Sequence, residues 1–402
     1  MMGMRVPSFD SDHSSFQAQR LDRRAFVSNA CKSLAGAVLL PSVFPSVLGA
    51  QVPERRLGVA IVGLGGYASD TVAPEVAFSK HVRIAAVVTG DPAGKGRRWA
   101  EQHGFSPNQV FHYREMHRLA SCEDVDFVHV VTPTGLHAEH SMAAAMAGKH
   151  VLCEKPMAVN SQQCRELIRC CNAQGVRLGI GYRLHWEPHH VKLMELVRSG
   201  TYGALQSLTT EFSWRRGDDK PWLLDPALAG GGAMMDTGAY LVQAACALCP
   251  ELPDRVVAMA SSSREVYPKG IEESMDALIG FPGGFGMSGR ASYAYHRHAF
   301  ELQCEGGSLG LHGAEGGSSF GQSWRGRPSG KVLRLPGGDS YKVADTLQAA
   351  YLYDAFAQAI TSGSPFIADG MMGLRDLVIL EAVSRAAKEG VAQRLSPADF
   401  EL

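Results

Sequence analysis

Six residues rich in Val, Ile and Leu, Leu57 to Val62, run directly into Gly63-Leu64-Gly65-Gly66-Tyr67-Ala68, and a helical pattern follows to Ser79. Few folds accept that order. The apolar run reads as a strand buried on both faces. Gly-x-Gly-x-x-Ala between strand and helix is a dinucleotide-binding turn: Gly63 turns the chain, Gly65 lets the backbone approach a pyrophosphate, and Ala68 lets helix and strand pack closely. The helix N-terminus then faces the phosphates, with Gly66 and Tyr67 completing the cofactor-facing segment.

The chain repeats the strand–helix alternation after this turn. Val82–Val88, a short stretch near Val110, Val125–Val131, Val151–Cys153 and Arg177–Tyr182 read as strands, and Ala138–Ala147 and Ser161–Ala173 as helices. That spacing predicts a doubly wound parallel sheet over 57–182. The pattern changes after Tyr182. A helix over Pro188–Arg198 is followed by strand-like runs at Leu205–Phe212, Arg255–Ser261, Met275–Phe281, Gly284–Ser292, Phe300–Cys304 and Ser308–His312. No helices separate most of them, which suits an open, mainly antiparallel sheet. Helices over Leu347–Ile360 and Met371–Lys388 close the chain, after a glycine-rich loop with one short strand at Gly313–Ser340. The expected class is α/β: an N-terminal Rossmann doubly wound parallel sheet plus a C-terminal α+β domain over 183–402 with an open, mainly antiparallel sheet.

Ligands of open α/β sheets sit outside the carboxyl ends of the strands, so the strand ends are where site residues belong. The second strand ends in Thr89-Gly90-Asp91-Pro92, with Lys95, Arg97 and Arg98 beyond. A hydroxyl at the tip and cations nearby favour a 2′-phosphate, hence NADP, with NAD the alternative; Arg97 and Arg98 read equally well as a solvated helix face. The next apolar strand ends in Thr132-Pro133-Thr134-Gly135-Leu136-His137. Thr132 and His137 are expected near the cofactor, although His137 also reads as an ordinary helix-start histidine. Val151–Cys153 ends in Glu154-Lys155-Pro156, where proline restricts the lysine backbone to extended angles and aims its side chain.

The bulk numbers exclude some classes. The 402 residues carry a net charge of −1, so no basic face for nucleic acid is implied. Nine cysteines are scattered, and Cys246 and Cys249, although spaced Cys-x-x-Cys, sit in an apolar helical run without a second pair; core packing is the better reading, and no metal site is expected. Residues 1–50 contain Arg23-Arg24, Phe26, an apolar stretch broken by Pro41 and Pro45, and small residues Gly49-Ala50. This resembles a twin-arginine export leader; the competing reading is a membrane anchor, which the prolines oppose. After cleavage no membrane association is expected, and the expected location is the periplasm.

Glu154-Lys155-Pro156, the Gly63 turn and Gly230-Gly231-Gly232-Ala233-Met234-Met235-Asp236-Thr237-Gly238-Ala239-Tyr240 together resemble the glucose-fructose oxidoreductase / inositol dehydrogenase / rhizopine-catabolism (Gfo/Idh/MocA) family over about residues 55–395. Tyr240, where many members carry His, together with Gly181-Tyr182-Arg183 and the leader, is similar to the glucose-fructose oxidoreductase branch. The resemblance implies NADP retained through turnover, sugar substrates, a homo-oligomer (dimer or tetramer), and an N-terminal arm over 51–56. A lysine expected at the 2′-phosphate falls at Gly94, with Lys95 beside it.

Oxidising a cyclic sugar at its anomeric carbon removes a hydride and a hydroxyl proton, and the proton needs a base within hydrogen-bond reach. Asp236 and Tyr240 are four apart and share a helix face. Tyr240 is the expected base and acid; a phenol titrates near ~10 and needs a cation beside it, which Lys155 supplies. Asp236 is expected to hold sugar hydroxyls and orient Lys155. Arg183 and Tyr182 read as pocket wall, Arg183 toward the cofactor. Trp214, Arg215 and Trp222 could floor the sugar site, and His296 and His298 carry no spacing argument. Exported dehydrogenases lack a pool of free cofactor, so the expected cycle is ping-pong: an aldose leaves as lactone, and a second sugar, fructose-like, leaves as its polyol. Alternatives are a glycoside hydrolase using transient oxidation and a non-catalytic dinucleotide-binding protein.

Overall fold

The computed structural model describes residues 55–216, 220–313, 331–343 and 347–402. The expected leader and most of the arm, apart from Arg55 and Arg56, lie outside the described residues, as does most of the Gly313–Ser340 loop.

The first sheet contains β1 (Leu57–Val62), β2 (Val82–Val88), β3 (Val110–Phe111), β4 (Phe127–Val130), β5 (His150–Cys153) and β6 (Leu178–Ile180). Its order is β3-β2-β1-β4-β5-β6, and every pairing is parallel. The order reverses between β1 and β4, and that crevice is where a doubly wound sheet takes its ligand. All six residues of β1 are buried, because helices cover both faces. One of those helices comes from the far end of the chain. The Gln348–Ser362 helix lays Tyr353 and Phe356 against Phe127, at 6.1 and 5.3 Å between ring centroids. The Asp354 carboxylate accepts from the backbone N–H groups of Lys80 and His81, and Glu75 accepts from the Ala349 N–H. Gly179 of β6 is a glycine because a Cβ there would stand 2.8 Å from both Phe356 and Phe366.

The second sheet contains β7 (Leu205–Ser213), β8 (Arg255–Ser261), β9 (Ser274–Gly280), β10 (Gly286–Ser292), β11 (Arg297–Cys304), β12 (Gly307–His312), β13 (Val332–Arg334), β14 (Ser340–Tyr341) and β15 (Gln393–Arg394). Its order is β14-β13-β12-β11-β7-β10-β9-β8-β15. The pairings are antiparallel except β7 with β10, which run parallel. The period-2 alternation sends one face inward and leaves the other to solvent: Val256, Met275, Ala277 and Ile279 are buried, while Val257, Met259 and Leu278 stay exposed. The buried face receives the apolar helix Ala239–Leu248.

Two local expectations change. The helix after the Gly63 turn ends at Val76, short of Ser79, because the Ser79 hydroxyl accepts from the His81 and Val82 N–H groups and turns the chain into β2. The segment Met234–Gly238 is a wider, π-type turn that passes into the Ala239–Leu248 helix.

Candidate active site

The dinucleotide end is built from open backbone. Gly63 has φ +96°, a left-handed conformation that favours glycine, and a Cβ there would stand 2.9 Å from the Thr132 methyl. Gly65 and Gly66 are exposed, and a Cβ at Gly65 would meet nothing within 4 Å. That space beside a helix start is a cradle of the kind a pyrophosphate occupies, so the residues fit a dinucleotide. Ala68 is fully buried at the helix–strand contact. Thr89 is buried at the β2 tip, and its hydroxyl accepts from the Asp91 N–H at 3.2 Å. Asp91 is itself committed: its carboxylate accepts from the Gly94 and Lys95 N–H groups at 2.8 and 2.9 Å, bonds that lower its pKa. A Cβ at Gly94 would stand 2.5 Å from that carboxylate. The cap therefore accounts for glycine at the position where the resemblance leads one to expect lysine. Lys95, Arg97 and Arg98 are exposed.

The strand-end loops are fastened to each other. His137 is buried, with Nδ1 2.8 Å from the Pro156 carbonyl and Nε2 2.8 Å from the Thr132 carbonyl. Burial lowers its pKa against the raising effect of those two contacts. The ring thus clasps the loop after β4 to the loop after β5, and its nitrogens are turned to backbone carbonyls rather than toward a ribose. The Thr132 hydroxyl lies 3.2 Å from His140 Nδ1. Glu154 points inward, 3.4 Å from His129 Nε2, and a Cβ at Gly181 would strike its carboxylate. Burial raises the Glu154 carboxyl, but His129 and Lys155 outweigh it and hold it below the usual range.

The chemical end forms where the two sheets meet. Lys155 Nζ donates to the Asp236 carbonyl at 2.8 Å and to Asp236 Oδ1 at 3.2 Å, and stands 4.6 Å from the Tyr240 ring centroid. Burial alone would lower the lysine and raise the aspartate. Tyr240 and Asp236 reverse the first shift, and Lys155 with Arg216 reverses the second, so the pair is ionised. Arg183, 3% exposed, donates from Nε to the Tyr240 hydroxyl at 3.2 Å. Tyr67 is half-buried; desolvation and the Glu154 charge hold its phenol well above the usual range, so it stays neutral.

Several contributors escape sequence reasoning. Tyr293, at the end of β10, donates to Asp236 Oδ2 at 3.1 Å, and Arg216 approaches the same oxygen at 4.0 Å. Glu272 receives the start of the segment that carries Asp236 and Tyr240: its carboxylate accepts from the Gly232 and Met234 N–H groups, both at 2.9 Å, and its carbonyl from Ala233 at 3.1 Å. Gln348 accepts from the Arg183 guanidinium. None of these lies in a motif; strand register and packing bring them in. Register also explains the histidines. His298 pairs with Phe212 across β11 and β7, and its ring meets Phe212 edge-on at 4.7 Å, while Phe212 lies 5.4 Å from Tyr240. Trp214, exposed, contacts His296 at 5.6 Å and lies beneath Arg216 at 5.5 Å. Arg215 turns away to the Ala294 carbonyl, and Trp222 is half-buried in the short Pro221–Leu224 turn. Tyr182 is fully buried core rather than pocket wall.

A parallel sheet with an open glycine cradle, joined to a Lys–Asp–Tyr cluster, defines a dinucleotide-dependent oxidoreductase class. Residues 57–182 match the oxidoreductase family with NAD-binding Rossmann fold, and residues 190–316 match the GFO/IDH/MocA C-terminal domain; the chain belongs to the Gfo/Idh/MocA family. It is similar in structure to an aldose-aldose oxidoreductase from Caulobacter crescentus, at 33% identity and a TM-score of 0.79, covering 85% of this chain and 100% of that one. In sequence it is 28% identical over 341 residues to D-xylose 1-dehydrogenase (NADP(+)) 2 of Haloferax volcanii, covering 83% of this chain and 98% of the relative. An inositol dehydrogenase homologue from Azotobacter vinelandii, complexed with NAD+, shares the fold at 19% identity and a TM-score of 0.73, over 85% of this chain and 98% of that one. These matches make the chain an oxidoreductase of this family; the likeness of the last is one of fold alone.

Proposed function

We propose that this protein is an exported sugar oxidoreductase that keeps NADP bound and carries a hydride from a glucose-like aldose to a fructose-like second sugar. The observation that carries the reading is the Lys155–Asp236–Tyr240 cluster beside the open Gly65 cradle. When bound, NADP would supply the hydride acceptor for the first sugar and the hydride donor for the second. Tyr240 takes the anomeric hydroxyl proton as the aldose becomes a lactone, and returns a proton to the second sugar as it becomes a polyol. Lys155, standing over the phenol ring, favours negative charge at that oxygen as the proton leaves. Asp236, held by Lys155 and Tyr293, is an ionised acceptor for sugar hydroxyls.

For the cofactor, the commitment of Asp91 to its own turn leaves Thr89 at the β2 tip and Lys95 beyond it, which supports NADP over NAD. Gly63, Gly65, Gly66 and Tyr67 would line the pyrophosphate, with Ala68 packed behind them, Thr132 toward the nicotinamide and Glu154 behind it against His129. The twin-arginine pattern supports export to the periplasm with cofactor already inside. The exposed apolar residues Val257, Met259 and Leu278 on the second sheet support a homo-oligomer.

The test is to purify the protein, denature it and assay the supernatant for NADP(H), then supply paired sugars. One dinucleotide per chain, with lactone and polyol formed together without added cofactor, is the expected result. Absence of dinucleotide with full dependence on added cofactor would overturn the retained-cofactor reading. Release of alcohol from an aryl glycoside without lactone would replace it with a hydrolase.

A further inference from the structure

We propose that Arg183 is a positioning residue for the proton step, holding the Tyr240 oxygen in place and favouring its deprotonated form, a task the sequence pattern gives to Lys155. The inference rests on the aldose reading above for its kinetic consequence, but not for the contact itself.

The geometry separates the two cations. Lys155 Nζ donates to Asp236, through both the backbone carbonyl and Oδ1, and stands 4.6 Å from the centre of the Tyr240 ring, so it acts on Tyr240 as a nearby charge and not through a hydrogen bond. Arg183 makes the bond to the oxygen, from Nε at 3.2 Å, with its Cζ 4.9 Å from the ring centroid. A second arm of the same guanidinium, Nη1, donates to Gln348 Oε1 at the start of the Gln348–Ser362 helix. The guanidinium is planar, so fixing Nη1 also fixes the direction of Nε–H. An arginine can only donate. The Tyr240 oxygen therefore accepts from Arg183, and its own proton points elsewhere.

A bond from a cation strengthens when its acceptor becomes charged, because the attraction of opposite charges is added to it. The Arg183–Tyr240 bond thus grows as the phenol loses its proton, the property an interaction needs in order to accelerate a step. Arg183 is 3% exposed, so little water competes for it. Among the described residues, the charged or titratable groups that act on Tyr240 besides Arg183 are Lys155 from the loop after β5 and Tyr67 from the Gly63 turn, with Asp236 four residues earlier and Glu154 beside Lys155 and Tyr67.

The decisive experiment titrates the phenol directly. The absorbance at the phenolate band is followed with pH in the full-length wild type and in Tyr240→Phe, and the difference isolates Tyr240. The same difference is taken between Arg183→Met and Arg183→Met/Tyr240→Phe, and again for Arg183→Lys. The expected result is a midpoint about one pH unit or more higher in Arg183→Met, partly restored in Arg183→Lys. An unchanged midpoint in Arg183→Met overturns the proposal. A second arm follows reduction of the bound nicotinamide by glucose: Arg183→Met should lower kcat on the order of 10- to 100-fold with little change in KM. Loss confined to KM would make Arg183 a binding residue and overturn the assignment. The first arm needs no substrate, so it decides the role of Arg183 even where glucose fails to reduce the wild-type cofactor, which is failure of the aldose reading instead.

Discussion

The site has two glycine-rich ends, and they use glycine in opposite ways. At the dinucleotide end, a Cβ on Gly65 would meet nothing within 4 Å. At the chemical end, a Cβ on Gly232 would stand 2.0 Å from the Glu272 carbonyl oxygen and 2.5 Å from its nitrogen. The first glycine borders open space; the second lets two backbones touch. The capping carboxylates differ in the same sense. Asp91 and Glu272 each accept from two backbone N–H groups, yet Asp91 is fully exposed with a lowered pKa, while desolvation raises that of Glu272 despite its two bonds. One end is shaped by what it binds, the other by what it must hold still.

Lys155 lies where the ends meet and gives the largest expected effect. Lys155→Met should lower turnover by about 10²- to 10⁴-fold while the chain keeps its dinucleotide, read as single-turnover rate against cofactor released on denaturation. Equal loss of both would place it with the cradle. Gly232→Ala comes next. The clash is with backbone that cannot swing away, so a cost of about 1–3 kcal/mol is expected, a fall in Tm of roughly 2–4 °C per kcal/mol, and displacement of Asp236 and Tyr240 with loss of activity. Gly65→Ala should leave the melting temperature of the cofactor-free chain unchanged and weaken dinucleotide binding about tenfold, or about 1.4 kcal/mol. A melting loss at Gly65, or none at Gly232, would erase the contrast.

The smallest effects concern pH and have opposite signs. Asp91 titrates lower folded than unfolded, so its contribution to stability is present above about pH 3.9 and is lost as pH falls through the folded value. Glu272 titrates higher folded than unfolded. Above about pH 4.3 the native state holds more of that proton than the unfolded chain, and stability falls as pH rises toward the folded value. Denaturant melts across acid pH should show Asp91→Asn flattening the acid side and Glu272→Gln removing the decline on the other. The same sign for both would break the pairing.

The parallel sheet was legible because each of its strands carries its own signal: an apolar run from Leu57 to Val62 or from Val82 to Val88 has no other comfortable reading. Lys155, Asp236 and Tyr240 were legible because each lies in a run of residues with a fixed local job. Arg216, Tyr293, Glu272 and Gln348 were not, since they reach the site from separate strands, loops and a distant helix through pairings that no local pattern encodes. Arg183 stands between these cases. Its place was visible as a strand end, but its partner was not, because Tyr240 is 57 residues away and the choice between Lys155 and Arg183 turns on which atom each faces. Glycine misleads in a related way: Gly65 and Gly232 look alike in sequence, and only their surroundings tell a cradle from a contact.

The helix over Gln348–Ser362 has a bearing on how the chain becomes a protein. Phe127, His129 and Gly179 lean on Tyr353, Phe356 and Phe366, and the Ile180 N–H finds its acceptor in Ala368. A growing chain that has emerged only as far as β6 has made all the strands of its first sheet but leaves part of one face uncovered. The first sheet is thus covered only by a helix that begins 168 residues after β6 ends, the same helix whose first residue, Gln348, steadies Arg183. Covering of the first sheet and placement of Arg183 depend on the same helix, and a chain cut short after its first sheet would lack both.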